Sequence, residues 1–192
     1  LSASGLTGGR ESTAMLRSVA FSFAMLCGNT RTYREMQWQG ERDALTQLYN
    51  RNRYELDLPK ISAECRRGVC CVYLDANGLH EMNNSQGHQA GDEMLRAIAG
   101  ELTARFDPRH IYRVGGDEFI IFVVDGDETE TARCTGEVAG ALERAGYHIS
   151  AGTAWRAAPA EDLEGLVKTA EQRMYDAKRA YYRSPASTRR PR

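Results

Sequence analysis

From Val69 to Leu74 the chain reads Val-Cys-Cys-Val-Tyr-Leu, an unbroken apolar run that predicts a fully buried strand ending at Asp75. Two shorter apolar runs, Ile111–Val114 and Glu118–Val124, flank Gly115-Gly116-Asp117 and predict a hairpin. A further strand is predicted over Tyr147–Ala154. Helical spacing of apolar residues marks Arg51–Arg67, Ala90–Phe106 (through Met94, Leu95, Ile98, Ala99 and Leu102), Thr129–Ala145 and Leu163–Tyr182. Gly68 stops the first of these helices and Asp107-Pro108 the second. Ala44–Asn50 reads as a loop and Ala76–Gly91 as a polar, Gly/Asn-rich segment.

Near the start, Leu16, Val19, Phe23, Leu26, Thr30 and Tyr33 recur at alternating three- and four-residue steps. This heptad-like stripe predicts a helix that connects or dimerises, and the same stripe could instead pack on its own domain. Leu1–Thr13, rich in Gly, Ser and Thr, and the arginine-rich tail Ser184–Arg192 read as solvated segments. The domain expectation is therefore a connecting segment over 1–42, a folded domain over 43–183 and a tail over 184–192. The fold expected is α+β, a ferredoxin-like βαββαβ core whose central sheet is flanked by helices, preceded by the N-terminal helix. In that topology the first strand is expected to be central and to lie beside the strand that enters the hairpin. Asp75, Asp117 and Glu118 then become neighbours at one sheet edge.

Composition narrows the classes of partner. Twenty-five Lys and Arg against 26 Asp and Glu leave a net charge of −1, so no general attraction to nucleic acid or anionic membrane is expected. The chain is 42% apolar, enough for one core. Ala14–Gly28 is too short, and too interrupted by Arg17 and Ser18, for a spanning helix. The chain opens at Leu1, as a piece of a longer protein would. The cysteines at 27, 65, 70, 71 and 134 show no metal-ligand spacing and read as reduced core thiols of a cytoplasmic protein.

Three acids meeting at a strand end repel one another unless a pKa is raised or a divalent cation is held. Magnesium takes one or two carboxylates plus substrate phosphates. Asp75, followed by a turn at Gly78 whose N–H groups could face phosphate oxygens, supplies both parts, although turns and caps use the same residues for local reasons.

Arg113-Val114-Gly115-Gly116-Asp117-Glu118-Phe119 resembles the signature of GGDEF-domain diguanylate cyclases, which condense two GTP into cyclic di-GMP. Asp43-Ala44-Leu45-Thr46-Gln47-Leu48-Tyr49-Asn50-Arg51 is similar to the family's opening motif, and Asp75-Ala76-Asn77-Gly78-Leu79 to its metal and phosphate turn. Asn83, Gly87-His88 and Gly91-Asp92 match a further segment, and Ala170-Glu171, Met174-Tyr175 and Ala177-Lys178 the final helix. The resemblance implies that Asp75, the Ala76 carbonyl and Asp117 hold Mg²⁺ (or Mn²⁺), and that Asp117 and Glu118 are catalytic, acting on the 3′-hydroxyl. It implies that Gly78, Leu79, His80 and Lys178 bind phosphates and that Asn83 and Asp92 read guanine. Guanine offers two adjacent donors, which suits a carboxylate. His88 is expected to be structural.

The match departs at His80, where the family usually carries lysine, and at Tyr182, where it carries Arg or Lys; Arg179 or Arg183 could stand in. The family's product-inhibition motif would fall on Phe106-Asp107-Pro108-Arg109, so no inhibitory site is expected. One site holds one GTP, so a homodimer is implied, with an upstream sensor in the full-length protein. A catalytically weak or inactive GTP-binding module is the alternative reading. A mixed GMP–AMP cyclase is disfavoured by Asp92, and another nucleotidyl cyclase or polymerase palm by the Gly115–Phe119 match.

Overall fold

The structure is a computed structural model that describes residues 40–184 together with Met25. The chain divides into two compact units, Leu1–Gly40 and Glu41–Arg192. Apart from Met25, the predicted helix along Leu16–Tyr33, the segment Leu1–Thr13 and the tail beyond Ser184 lie outside the described residues.

The second unit runs β1 (Tyr49–Asn50), α1 (Arg51–Glu64), β2 (Gly68–Asn77), α2 (Leu79–Gln86), α3 (His88–Thr103), a 3₁₀ turn (Pro108–His110), β3 (Ile111–Arg113), β4 (Glu118–Val124), α4 (Glu128–Arg144), β5 (His148–Ala157) and α5 (Leu163–Arg183). The five strands form one sheet in the order β1-β3-β4-β2-β5. Only the β1–β3 pair is parallel; the other three pairs are antiparallel. The α+β, ferredoxin-like expectation holds, with β1 as an added edge strand.

All ten residues of β2 are buried, as its near-continuous apolar run requires of a central strand covered on both faces. One face carries Val72, Leu74, Phe119 and Ile121 against Met94, Leu95, Ile98 and Leu102 of α3 and Val138 and Leu142 of α4. The opposite face carries Cys71, Tyr73, Ile120 and Phe122 against Ile61 of α1 and Leu166, Ala170 and Met174 of α5. On that second face a methyl group at Gly152 of β5 would meet the Ala170 carbonyl oxygen at 2.1 Å and the Met174 nitrogen at 2.3 Å. The bare backbone at Gly152 therefore lets α5 lie directly on the sheet.

Several expectations are corrected. The central strand lies beside β4, which leaves the hairpin, and not beside β3, which enters it; β3 is parallel in direction to β2, and only the returning strand can pair with β2 antiparallel. The segment Ala76–Gly91 is largely ordered: β2 extends to Asn77, and α2 follows at once. Helix α3 begins at His88, two residues before the predicted start, and ends at Thr103. Helix α1 stops at Glu64, and the loop before it ends in β1. Cys70 and Cys71 are buried free thiols, whereas Cys65 and Cys134 are only half-buried and pack against the margins of the two core clusters.

Candidate active site at the carboxyl end of the central strand

Strand register decides which acids meet. Asp75 and Glu118 are cross-strand partners in the β2–β4 pair, and Ala76 N donates to Asp117 O at 3.0 Å. Ile120 and Tyr73 are buried on the α1–α5 face, and the two-residue period of a strand puts Glu118 and Asp75 on that face as well. Asp75 is 4% exposed. Helix α5 delivers Lys178 one turn beyond the buried Met174, and its Nζ lies 2.6 Å from Asp75 Oδ1. Burial pushes the Asp75 carboxyl up, the nearby charges of Asp117 and Glu118 add to that, and Lys178 opposes it. Burial disfavours the charge on Lys178, but its contact with Asp75 outweighs this and raises its pKa.

The signature turn is held from several sides. Val114 N and Gly115 N both approach Glu118 O, at 3.0 and 3.5 Å. A methyl group at Gly115 would stand 2.4 Å from Glu118 Oε2, so glycine is needed there for the carboxylate to fold back; no such crowding exists at Gly116. Glu118 Oε1 accepts from the Tyr73 hydroxyl at 3.1 Å. Burial and the adjacent carboxylate raise the Tyr73 pKa, so the phenol stays a donor. Arg113 donates from Nη1 to Asp43 Oδ1 at 2.9 Å and from Nη2 to Gly116 O at 2.6 Å. Asp43 also accepts from Thr46 N and Oγ1 at 2.8 and 2.7 Å. Its burial is outweighed by those hydrogen bonds and by Arg113, and its pKa is lowered.

A second set of predicted residues converges between α2 and α3. Gly78 adopts φ 78°, a left-handed conformation that starts α2, and no side chain caps the helix. Asn83 Oδ1 is buried without a hydrogen-bond partner, and a methyl group on Gly91 would stand only 2.1 Å from it. Asp92 follows Gly91, lies inside α3 and not at its cap, is 45% exposed at its side chain, and faces Arg96 Nη2 at 3.6 Å. Asn83 therefore packs against Gly91, the residue before Asp92.

The other side chains weighed for phosphate binding make contacts of their own. His80 is exposed and its Nε2 lies 3.0 Å from Asn84 Nδ2. Arg179 pairs with Asp176, and Tyr182 packs edge-on against Tyr181 at 5.2 Å. His88 is exposed.

The donor set fits a hard divalent cation. Asp75 Oδ1 is buried and the Lys178 ammonium stands 2.6 Å from it, so this oxygen already faces a positive charge. Among the described residues no three His, Cys, Asp or Glu side chains form a metal cage. A hard cation such as magnesium takes carboxylate oxygen together with substrate phosphates.

Sequence reasoning named Asp75, Asp117, Glu118, Lys178, Asn83 and Asp92, and missed the Asp43–Arg113 pair and the Tyr73–Glu118 hydrogen bond. Both missed links join residues far apart in the chain; the presence of Asp43 and Arg113 in two separate motifs is the one signal that could have suggested the first.

Comparison with known proteins agrees with this geometry. A family model described as diguanylate cyclase, GGDEF domain, matches residues 41–183. Diguanylate cyclase DgcS of Shewanella oneidensis is 29% identical over 159 residues, covering 78% of this chain and 53% of DgcS. Diguanylate cyclase DosC of Shigella sonnei is 30% identical over 153 residues, covering 71% of this chain and 33% of DosC. The cyclic di-GMP phosphodiesterase PdeB of Shewanella oneidensis is 29% identical over 147 residues, covering 71% of this chain and 17% of PdeB. The chain thus spans about half, or less, of the length of these relatives. The coiled coil and GGDEF domain of DgcB from Caulobacter crescentus, solved with c-di-GMP, shares the fold at a TM-score of 0.79 and 22% identity, covering 87% of this chain and 95% of that solved chain. A microbial GGDEF domain solved with cyclic di-GMP gives a TM-score of 0.68 at 30% identity, covering 76% of this chain and 94% of that one. The chain belongs to the GGDEF-domain family of diguanylate cyclases.

Proposed function

We propose that the domain condenses two GTP into cyclic di-GMP and pyrophosphate, by attack of a 3′-hydroxyl on an α-phosphate. The observation that carries this reading is the register that pairs Asp75 with Glu118 and bonds Ala76 N to Asp117 O, next to the uncapped turn at Gly78. In this reading Asp75, the Ala76 carbonyl and Asp117 hold Mg²⁺ or Mn²⁺. When bound, the cation supplies positive charge to the triphosphate oxygens as the α-phosphate is attacked. Asp117 and Glu118 orient the 3′-hydroxyl and take its proton, with Tyr73 holding the Glu118 carboxylate in place. The N–H groups of Gly78, Leu79 and His80 and the Lys178 ammonium bind the β- and γ-phosphates, Lys178 turning from Asp75 to the nucleotide. Asn83 and Asp92 read guanine, whose adjacent N1–H and amine match the Asp92 carboxylate; adenine would leave that carboxylate without its donors.

The catalytic domain in this reading spans 43–183, with 1–42 as a connecting helix that pairs two copies, 184–192 as a tail, and an upstream sensor in the full-length protein. The relatives named as cyclic di-GMP enzymes, two of them cyclases, support the substrate class. A cytoplasmic location is part of the same reading; among the described residues no helix is long and apolar enough to cross a membrane.

One observation favours a weak or silent GTP-binding module instead. His80 is engaged with Asn84, Arg179 with Asp176, and position 182 is a tyrosine, so Lys178 and Arg183 are left to supply side-chain charge to the triphosphate. Separating the products of GTP and Mg²⁺ distinguishes the two. Wild-type chain is expected to release pyrophosphate and a cyclic dinucleotide, and Asp117→Asn to lower that turnover by about 10²–10³-fold with the fold retained. Unchanged turnover in the variant would overturn the assignment; binding of GTP without product would establish the silent module.

A further inference from the structure

Among the buried polar side chains of the described residues, three form one row: Asp75, Asn77 and Ser150, exposed by 4%, 5% and 3%. Ser150 is the cross-strand partner of Asp75, and its Oγ donates to Asn77 Oδ1 at 3.0 Å. Asn77 lies two residues beyond Asp75 on β2 and so shares its face. With the amide oxygen taken by Ser150, the amide nitrogen is turned away from it and has no acceptor. A buried N–H₂ without a partner is costly, and folds keep one where it serves something besides packing.

Two features lie close to it in the fold. Lys178 stands against Asp75 on the same face, and immediately after Asn77 the chain makes the left-handed turn at Gly78 and opens the uncapped start of α2. A cation, free backbone N–H groups and an orphaned amide donor at one strand end are complementary to an anion rich in oxygen. The base-reading pair, Asn83 and Asp92, lies elsewhere, between α2 and α3.

We propose that Asn77 is a further nucleotide-binding residue, its Nδ2 donating to a phosphate oxygen of the bound triphosphate, and that Ser150 is the positioning residue that fixes which way the amide faces. The inference rests on the GTP reading above. It predicts that the Asn77 contribution depends on the phosphates and not on the base. It also predicts that Ser150 acts through Asn77 alone.

The test is calorimetric titration of the full chain with the α,β-methylene analogue of GTP plus Mg²⁺, and separately with guanosine. Asn77→Ala should weaken the analogue about 10-fold and leave guanosine unchanged, and Ser150→Ala should weaken the analogue about 3-fold. In the Asn77→Ala background, Ser150→Ala should have no further effect. The double variant Asn77→Leu/Ser150→Ala replaces both polar partners with apolar groups. It should melt no lower than wild type without ligand, while showing the same 10-fold loss for the analogue. Equal losses for analogue and guanosine, unchanged affinity for the analogue, or failure of both Asn77 variants to fold would overturn the inference and make the row structural. Wild-type chain that binds neither ligand would overturn the GTP reading itself and this inference with it, whereas wild-type binding matched by the variants overturns this inference alone.

Discussion

A methyl group added to Gly91 would lie 2.1 Å from Asn83 Oδ1, and this single contact separates the two roles a helical glycine can have. Gly91 is buried inside α3, where alanine is intrinsically favoured by about 0.5–1 kcal/mol. Gly91→Ala should therefore change the melting temperature little, because the helix gain offsets the crowding. The displaced Asn83 amide should weaken GTP binding by about 10-fold, as measured by titration with a non-reacting analogue. Loss of stability with GTP affinity intact would contradict the placement of Asn83 in the base site. Asn83 and Asp92 were singled out in the sequence through their motif. Asn77 was not given a role, because an asparagine before glycine reads first as a turn residue. Its purpose emerges only when Ser150, 73 positions away, takes its carbonyl oxygen.

At the scale of elements, the site depends on how closely α5 lies on the sheet. Gly152 permits that approach, and the helix then places Lys178 over Asp75. Gly152→Ala would drive a methyl group into the backbone of α5 at Ala170 and Met174, which cannot move as a side chain can. It should destabilise the domain by about 2–3 kcal/mol, read by denaturant unfolding, and lower activity in the folded fraction. A neutral effect on both would show that α5 docks independently of this contact. Periodicity made the buried central strand, the hairpin and the amphipathic helices α3, α4 and α5 legible, since each buries a repeating apolar face. It did not reveal α2, which offers only Leu79 and Met82 to the core and otherwise reads as polar. The hairpin strand expected beside β2 was the wrong one: an apolar run shows that a strand is covered, and chain direction decides what pairs with it.

At the scale of the whole molecule, one site holds one GTP and the product joins two, so chemistry in this account needs two chains facing each other about a two-fold axis. Turnover per chain should rise with protein concentration and level off as dimers saturate, followed alongside sedimentation. Turnover per chain that stays constant while the protein sediments as a monomer would contradict the paired mechanism. The stripe from Leu16 to Tyr33 is the segment proposed to set that pairing. The claim beneath all of this is that Asp75 and Asp117, brought together by the β2–β4 register, hold a divalent ion against a guanine nucleotide's triphosphate. Crystals grown with Mn²⁺ and the α,β-methylene analogue of GTP test it most directly. The account predicts an anomalous scattering peak between those two carboxylates, with the phosphates at the Gly78 turn and Lys178 swung onto them. Nucleotide bound at another surface, or phosphates at Gly78 with no manganese beside Asp75, would contradict it.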